Sequence, residues 1–217
     1  MATVMDQDMT AIEFGHDQFK SLVQNQQLEI IHGNFADFKL HCHGTYDAIL
    51  LDLGVSSPQL DEKSRGFSFY DNGPLDMRMN QGADLTAAQI INTYTEDALL
   101  QIFHRLGEIS HPGKVVRAII KDRIDKPFVS TEQLAGLIER VDGWKTKGYH
   151  PATQYFMALR LAVNNELNVI ESVLPQLVDA LNEGGRLAVI SFHSLEDRIV
   201  KYFMRDSSLG YPLMNRA

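Results

Sequence analysis

With 217 residues, of which 44% are hydrophobic and 22% charged, the chain has the composition of a globular protein with one large domain or a domain carrying an inserted subdomain. Its formal net charge of −8 argues against a protein that coats nucleic acid non-specifically, and no apolar stretch approaches the roughly 20 residues that a membrane span needs. A single cysteine, Cys42, excludes an internal disulfide framework and, with no secretory signal visible at the N-terminus, predicts a cytoplasmic protein.

The first part of the chain alternates strand-like and helix-like segments. Thr3–Met5 is predicted as a strand, Thr10–Gln24 as a helix, and Leu28–Ile31 and Asp47–Leu51 as the next two strands. The continuous apolar run Ala48–Leu51 is typical of a strand that is buried on both faces. This order predicts an α/β fold with a mostly parallel sheet.

From residue 80 the pattern becomes helical. Thr86–Gln89 and Ser130–Gln133 have the spacing of capping boxes, and no convincing strand pattern occurs between residues 80 and 149. We predict that residues 80–149 form an inserted helical domain. Residues 1–79 and 150–217 would then form one discontinuous α/β domain.

The α/β pattern resumes after residue 149. A long helix is predicted from Pro151 to Leu181, because apolar residues keep a helical spacing over that whole stretch. The apolar run within Arg186–Ser191 predicts another buried strand, and a closing helix is predicted from about Leu195.

Three of the predicted strands end in a titratable side chain: Asp6, Asp52 and His193. The carboxyl ends of parallel strands share one edge of a sheet, where ligands of α/β proteins bind, so these side chains could converge on one crevice. Asp6 fits either a carboxylate that binds the two hydroxyls of a ribose or a helix N-cap, a position for which Asp8 competes.

The other polar candidates each have two interpretations. Asp52 precedes Gly54, which indicates a close backbone approach or a positive φ, and it is interpreted as a binding or catalytic group rather than as a loop cap. Phe35 could stack on an aromatic ligand or belong to the core. His193 could be an acid–base group or a hydrogen-bonded structural histidine.

Two kinds of site are not predicted. His41, Cys42 and His43 are three adjacent potential metal ligands without a second cluster, whereas a closed zinc site needs four ligands. Ser56 and Ser57 lack the glycine-flanked elbow of a nucleophilic serine, which argues against acyl transfer.

Several long motifs closely resemble those of one family, the ribosomal small subunit methyltransferase H family, also called MraW. They are Asp52–Asp61, Arg65–Phe69, Gly73–Met79, His150–Thr153, Ala158–Arg160 with Val163 and Asn164, and Ile190–Arg198. Strings of this length in this order are highly specific, and the resemblance covers nearly the whole chain.

The resemblance implies an S-adenosylmethionine-dependent enzyme that methylates the exocyclic N4 of a cytidine in the decoding region of small-subunit (16S) rRNA. It implies a Rossmann-like methyltransferase sheet with an inserted helical domain, and the small ribosomal subunit as partner. On the matching positions, Asp6 would hold the cofactor ribose, Phe35 would lie by the adenine, and Asp52 and Gln59 would complete the cofactor pocket.

N4 is a poor nucleophile because its lone pair is conjugated into the ring, so a hydrogen-bond acceptor on the amino group would assist the reaction. The hypothesis is that Asp52 or the loop containing Ser56 supplies this acceptor, with His193 nearby. A base in folded RNA must also be splayed from its stack, for which Phe67 and Phe69 are candidate stacking partners; the alternative for both is a role in the core.

The chain also departs from the family pattern. The glycine-rich loop that follows the family's first strand has no counterpart, since no Gly-x-Gly occurs in the sequence, and the family's basic C-terminal segment is not found. We therefore expect a chain truncated at both ends relative to the family. The alternative to an enzyme is a non-catalytic fragment that acts at most as an RNA- or ribosome-binding module. The sequence does not predict an oligomeric state.

Overall fold

The computed structural model describes residues 1–144 and 149–206. The chain divides into two compact units. Unit 1 comprises residues 1–54 together with the segment from Glu166 onward, and unit 2 is Val55–Asn165. Unit 2 is therefore inserted in sequence between two parts of unit 1, and it is wider than the predicted insertion of residues 80–149. It also includes the loop before residue 80 and the helix that follows residue 150.

Unit 1 contains two parallel strand pairs and the helices that connect or follow them. Its strands are β1 (Ala2–Asp6), β2 (Leu28–His32), β3 (Tyr46–Asp52) and β4 (Leu181–Ile190), and its helices are α1 (Met9–Gln18), α2 (Lys20–Gln24), α3 (Phe38–His41), α10 (Glu166–Asp179) and α11 (Ser194–Asp206). β1 pairs with β2, and β3 pairs with β4, both in parallel. The predicted α/β class is confirmed.

Unit 2 is helical among its described residues. It contains α4 (Ser57–Asp61), α5 (Ala87–Thr93), α6 (Glu96–Arg105), α7 (Gly113–Asp125), α8 (Thr131–Asp142) and α9 (Ala152–Val163). Both predicted capping boxes are confirmed, with Thr86 capping α5 and Ser130 capping α8. These boxes were predictable because each depends only on residues three positions apart.

The prediction of a single long helix over Pro151–Leu181 is wrong, because the helix is interrupted at Asn164 and Asn165. Asn165 has φ +51°, outside the helical region, and α10 starts at the next residue. The Asn164 side chain accepts a hydrogen bond from the Met79 backbone N–H and donates to the carbonyl oxygens of Met77 and Arg160. Apolar periodicity does not detect such a break, because the spacing continues on both sides of it.

Strand β3 is buried on one face only, contrary to the prediction. Leu51 is 8% exposed and packs with Ile170, Val173 and Leu174 of α10, whereas Leu50 is 65% exposed. Alternate residues of a strand point to opposite faces, and α10 covers only one of them.

Because Leu51 and Leu50 point to opposite faces of β3, a matched pair of substitutions tests which face is buried. We expect Leu51→Ala to lower the free energy of unfolding by about 2–3 kcal/mol, because it leaves a cavity beside α10. Leu50→Ala should change it by less than about 0.5 kcal/mol. Urea denaturation followed by far-ultraviolet circular dichroism measures both, and equal effects of the two substitutions would contradict the register.

Candidate functional site

The carboxyl end of the β3–β4 pair brings together two of the predicted strand ends. Asp52 is the last residue of β3 and lies opposite Ile190, the last residue of β4. The Leu53 backbone N–H continues the pairing by donating to the carbonyl oxygen of Ile190 at 3.0 Å. Asp52 is exposed, while Leu53 is 5% exposed and anchors the chain just after it. A rigid strand end therefore presents a carboxylate to solvent.

Gly54 and Phe192 each follow one of these two strand ends by two residues. Gly54 has φ +88°, a conformation that favours glycine, and a β-carbon at Gly54 would lie 3.3 Å from Cδ2 of Phe192. The absence of a side chain at Gly54 thus makes room for the Phe192 ring, which is 69% exposed. The sequence predicted the positive φ or close approach at Gly54 but did not single out Phe192.

His193 directly precedes α11 and is oriented by that helix. Its Nε2 lies 3.1 Å from Oε1 of Glu196, whose side chain is fully buried. Its Nδ1 is the acceptor of a long, 3.5 Å hydrogen bond from the Glu196 backbone N–H. Glu196 Oε2 accepts a 2.9 Å hydrogen bond from the Phe192 backbone N–H. Both ring nitrogens of His193 therefore face Glu196, which supports the structural interpretation of this histidine.

The carboxyl end of the β1–β2 pair carries Asp6. Its Oδ1 accepts a 2.7 Å hydrogen bond from the backbone N–H of Asp8, and burial raises its pKa above the ordinary value despite that bond. Asp8 is the N-cap of α1, accepting from the Thr10 backbone N–H at 3.0 Å. The capping role thus falls to Asp8, and Asp6 shapes the turn that leads into the helix.

Hydrogen bonds connect the chain segment that follows β1 to the chain segment that follows β2. The backbone oxygen of Gln7 lies 3.2 Å from Nε2 of His32, and the Gln7 side chain accepts from the Asn34 amide at 2.9 Å. Asn34 in turn caps the 3-10 helix that begins at Phe35. Phe35 is half-buried and packs against the core of unit 1.

Comparison with known proteins shows to which family the chain belongs. The family model described as the MraW methylase family matches residues 1–214. The chain belongs to the MraW methylase family.

Curated relatives agree with this assignment. A protein of Bdellovibrio bacteriovorus named Ribosomal RNA small subunit methyltransferase H is 62% identical over 206 residues, which are 95% of this chain and 63% of that protein. Proteins of the same name from Legionella pneumophila strain Paris and Lactiplantibacillus plantarum are 44% and 42% identical, over 95% and 94% of this chain and 68% and 66% of theirs. The chain thus spans about two thirds of the length of these relatives.

Two further candidates, Ser56 and Gln59, lie in unit 2. They form the capping box of α4, in which the Gln59 side chain accepts from the Ser56 backbone N–H at 3.0 Å. Gln59 is 8% exposed. These contacts fix the start of α4, and a role of either residue toward cofactor or substrate stays a prediction.

Much of the family motif from Asp61 to Met79 builds the interior of unit 2. Arg65 is 6% exposed, and its guanidinium donates to the carbonyl oxygens of Arg78 and Met79 at 3.0 Å each. Asp76 accepts from the Arg78 guanidinium twice, at 2.8 Å each, and from the Arg78 backbone N–H. The charged side chains of Arg65 and Asp76 therefore form hydrogen bonds with atoms of the same segment.

Asp76 provides a test of that structural role. Burial acts to raise its pKa, but the hydrogen bonds from Arg78 outweigh burial and hold the pKa below its ordinary value. A carboxyl with a lowered pKa stabilises the fold above its unfolded-state value of about 3.9, and the contribution is lost as the pH falls through the folded-state value. Asp76→Asn should therefore lower the free energy of unfolding by about 2 kcal/mol at pH 7 and by much less at pH 3.

The matched control is Asp71→Asn. Asp71 pairs with Lys63 at 2.8 Å, but both side chains are more than half exposed, so its removal should cost below about 0.5 kcal/mol at any pH. Urea denaturation between pH 3 and pH 7 measures both variants. Parallel curves for wild type and Asp76→Asn would contradict the lowered pKa.

Of the two alternatives for Phe67, stacking on RNA and a core role, the structure supports the core role, since Phe67 is 7% exposed and belongs to the core of unit 2. Phe69 packs against the same core, with its ring centroid 5.0 Å from that of Phe156 and 4.6 Å from that of His150. Phe192, which follows β4, is an aromatic residue that is exposed.

Two kinds of feature are absent from the described part of the chain. Within residues 1–144 and 149–206, no three His, Cys, Asp or Glu side chains are grouped so that they could hold a metal ion. In the same ranges no helix is both long and apolar enough to cross a membrane.

Proposed function

We propose that this chain carries out S-adenosylmethionine-dependent methylation of the N4 amino group of a cytidine in the decoding region of small-subunit rRNA. The observation that carries the proposal is the exposed carboxylate of Asp52 at the carboxyl end of β3, with Gly54 two residues beyond it and Phe192 two residues beyond the end of β4. This is the edge at which α/β proteins bind their ligands. The names of the relatives support rRNA as substrate.

The residues at the end of β1 and β2 fit a nucleoside cofactor. An ionised carboxylate only accepts hydrogen bonds, and the two hydroxyls of a ribose donate them, so Asp6 would hold the ribose. The half-buried ring of Phe35 would lie by the adenine. When bound, S-adenosylmethionine supplies a sulfonium methyl group that is already activated for transfer.

Asp52 is proposed as the acceptor for the cytidine amino group. A hydrogen bond from N4–H to the carboxylate raises the electron density on the nitrogen and orients its lone pair. The Ser56 hydroxyl is the second candidate acceptor, but its side chain takes part in the capping box of α4. Asp52, which is exposed at the end of a rigid strand, is therefore the better candidate.

His193 is proposed to position this edge rather than to transfer a proton. Its two ring nitrogens face the buried Glu196, which also accepts from the Phe192 backbone N–H. The pair would keep the turn between β4 and α11 in one conformation. Proton transfer by His193, as the sequence suggested, would require its ring to leave Glu196.

Binding of the cofactor separates an enzyme from a non-catalytic module. Isothermal titration calorimetry of the chain with S-adenosylmethionine should show saturable binding, and Asp6→Ala should weaken it at least about tenfold, as expected when charge-assisted hydrogen bonds are lost. Asp17→Ala, which removes an exposed carboxylate from α1, is the control and should bind normally. An absence of binding at millimolar cofactor would favour the RNA- or ribosome-binding module.

A further inference from the structure

Phe192 is an aromatic side chain in an unusual position. It follows β4 by two residues, and 69% of its surface is exposed. The ring has room because Gly54, with its positive φ, carries no side chain. An exposed phenylalanine that rests against a glycine offers a flat apolar surface to a ligand.

The backbone beneath this ring is held firmly. The Phe192 N–H donates to Oε2 of Glu196, a side chain with no exposed surface, and the neighbouring His193 contacts the other oxygen of that carboxylate. Leu195, 8% exposed, anchors the first turn of α11. The conformational entropy of this turn is therefore already lost when the protein folds. A ligand that binds the ring then loses little further binding free energy to ordering the turn.

The ring and the carboxylate of Asp52 are at neighbouring strand ends. Asp52 lies opposite Ile190 in the strand pair, and the Leu53 N–H bonds to the Ile190 carbonyl, so the two chain segments leave the sheet side by side. A flat apolar surface next to a hydrogen-bond acceptor matches a heteroaromatic ring with an amino group. An unstacked nucleobase has this chemistry, and proteins commonly stack such bases on aromatic side chains.

We propose that Phe192 is a base-stacking residue: its exposed ring stacks on the pyrimidine whose amino group Asp52 accepts. The inference rests on the proposed function, since it names the residue that holds the target base in that site. It also gives a reason for Gly54, because a β-carbon there would crowd the ring at 3.3 Å.

The test uses a short single-stranded RNA that carries one fluorescent cytosine analogue, pyrrolocytosine, whose emission is quenched by stacking. Wild-type protein should bind this RNA and quench its emission. Phe192→Ala should weaken binding about fivefold or more and remove most of the quenching, whereas Phe192→Trp should retain both. The control is Phe14→Ala, which removes an aromatic ring of α1 that is 63% exposed, and it should behave as wild type.

The outcomes separate this inference from the proposed function. Phe192→Ala that binds and quenches as wild type would overturn the stacking role even if the wild type methylates RNA. Wild-type protein that neither binds the RNA nor quenches its emission would overturn the stacking role as well. Quenching that depends on an aromatic residue at position 192, in a protein that transfers no methyl group to any RNA, would support stacking and contradict the proposed function. Thermal unfolding of Phe192→Ala should match wild type, because the ring is exposed.

Discussion

Replacing Gly66 with alanine is expected to destabilise unit 2 by about 3–4 kcal/mol. Gly66 has φ +71°, and a β-carbon there would overlap the carbonyl oxygen of Pro74 and lie 3.0 Å from the backbone nitrogen of Asp76. Both of these are backbone atoms that cannot turn aside as a side chain would. The substitution therefore combines left-handed backbone strain with a steric overlap in the buried loop.

The chain that Gly66 approaches is held by hydrogen bonds to the start of α8 and to the segment just before it. The Leu75 N–H donates to the Val129 carbonyl, and the Thr131 N–H donates to the Gly73 carbonyl. The Gly73 N–H donates in turn to the Thr131 hydroxyl. The loop cannot move away from a new β-carbon without breaking these bonds, which is why the expected effect is large.

The destabilisation of unit 2 can be measured through Trp144, since it is the only tryptophan of the chain and belongs to unit 2. Its fluorescence during urea denaturation reports the unfolding of that unit. Gly136→Ala is the control: Gly136 lies within α8 with open space around its β-position, so alanine there should stabilise the helix by about 0.5–1 kcal/mol. Equal stabilities of Gly66→Ala and wild type would contradict the proposed packing of this loop.

Asp52→Ala is expected to lower the turnover number for methyl transfer by about 100-fold or more. The reason is the loss of the acceptor that activates and aligns N4. Folding should be unchanged, because Asp52 is exposed and its strand is anchored by Leu51 and Leu53. Transfer of a labelled methyl group from S-adenosylmethionine to small ribosomal subunits that lack the modification measures the effect.

Asp47→Ala is the matched control for Asp52→Ala. Asp47 is an exposed carboxylate in the same strand, five residues earlier, and it accepts a hydrogen bond from the exposed Asn182 side chain. It should retain full turnover. A variant Asp52→Ala that transfers methyl groups as fast as wild type would exclude Asp52 as the acceptor. Unchanged turnover with a raised Michaelis constant for the cofactor would assign Asp52 to cofactor binding alone.

Local patterns predicted much of the fold. The strands, the parallel α/β class and the caps at Thr86 and Ser130 followed from hydrophobic periodicity and short-range spacing. The break at Asn164–Asn165 was not predictable in this way, because it depends on hydrogen bonds between Asn164 and a loop 85 residues earlier in the chain. One-sided burial of β3 was missed because a run of apolar residues does not show which face a helix covers.

The candidate site was predicted only in part, because local patterns locate its residues but not their contacts. Asp6, Asp52 and His193 were found because strand ends can be located from sequence. Their partners could not be, since the contact between His193 and Glu196 and the packing of Phe192 on Gly54 exist only in the folded chain.

Identification of the methylated nucleoside tests the central claim most directly. Small ribosomal subunits lacking the modification would be incubated with the wild-type chain and labelled S-adenosylmethionine, and the rRNA digested and analysed by liquid chromatography with mass spectrometry. The proposed function predicts the label in N4-methylcytidine, from a single position in the decoding region, with the rate of labelling lowered about 100-fold or more in Asp52→Ala. Label in any other nucleoside, or no label in a chain that binds the cofactor, would contradict it.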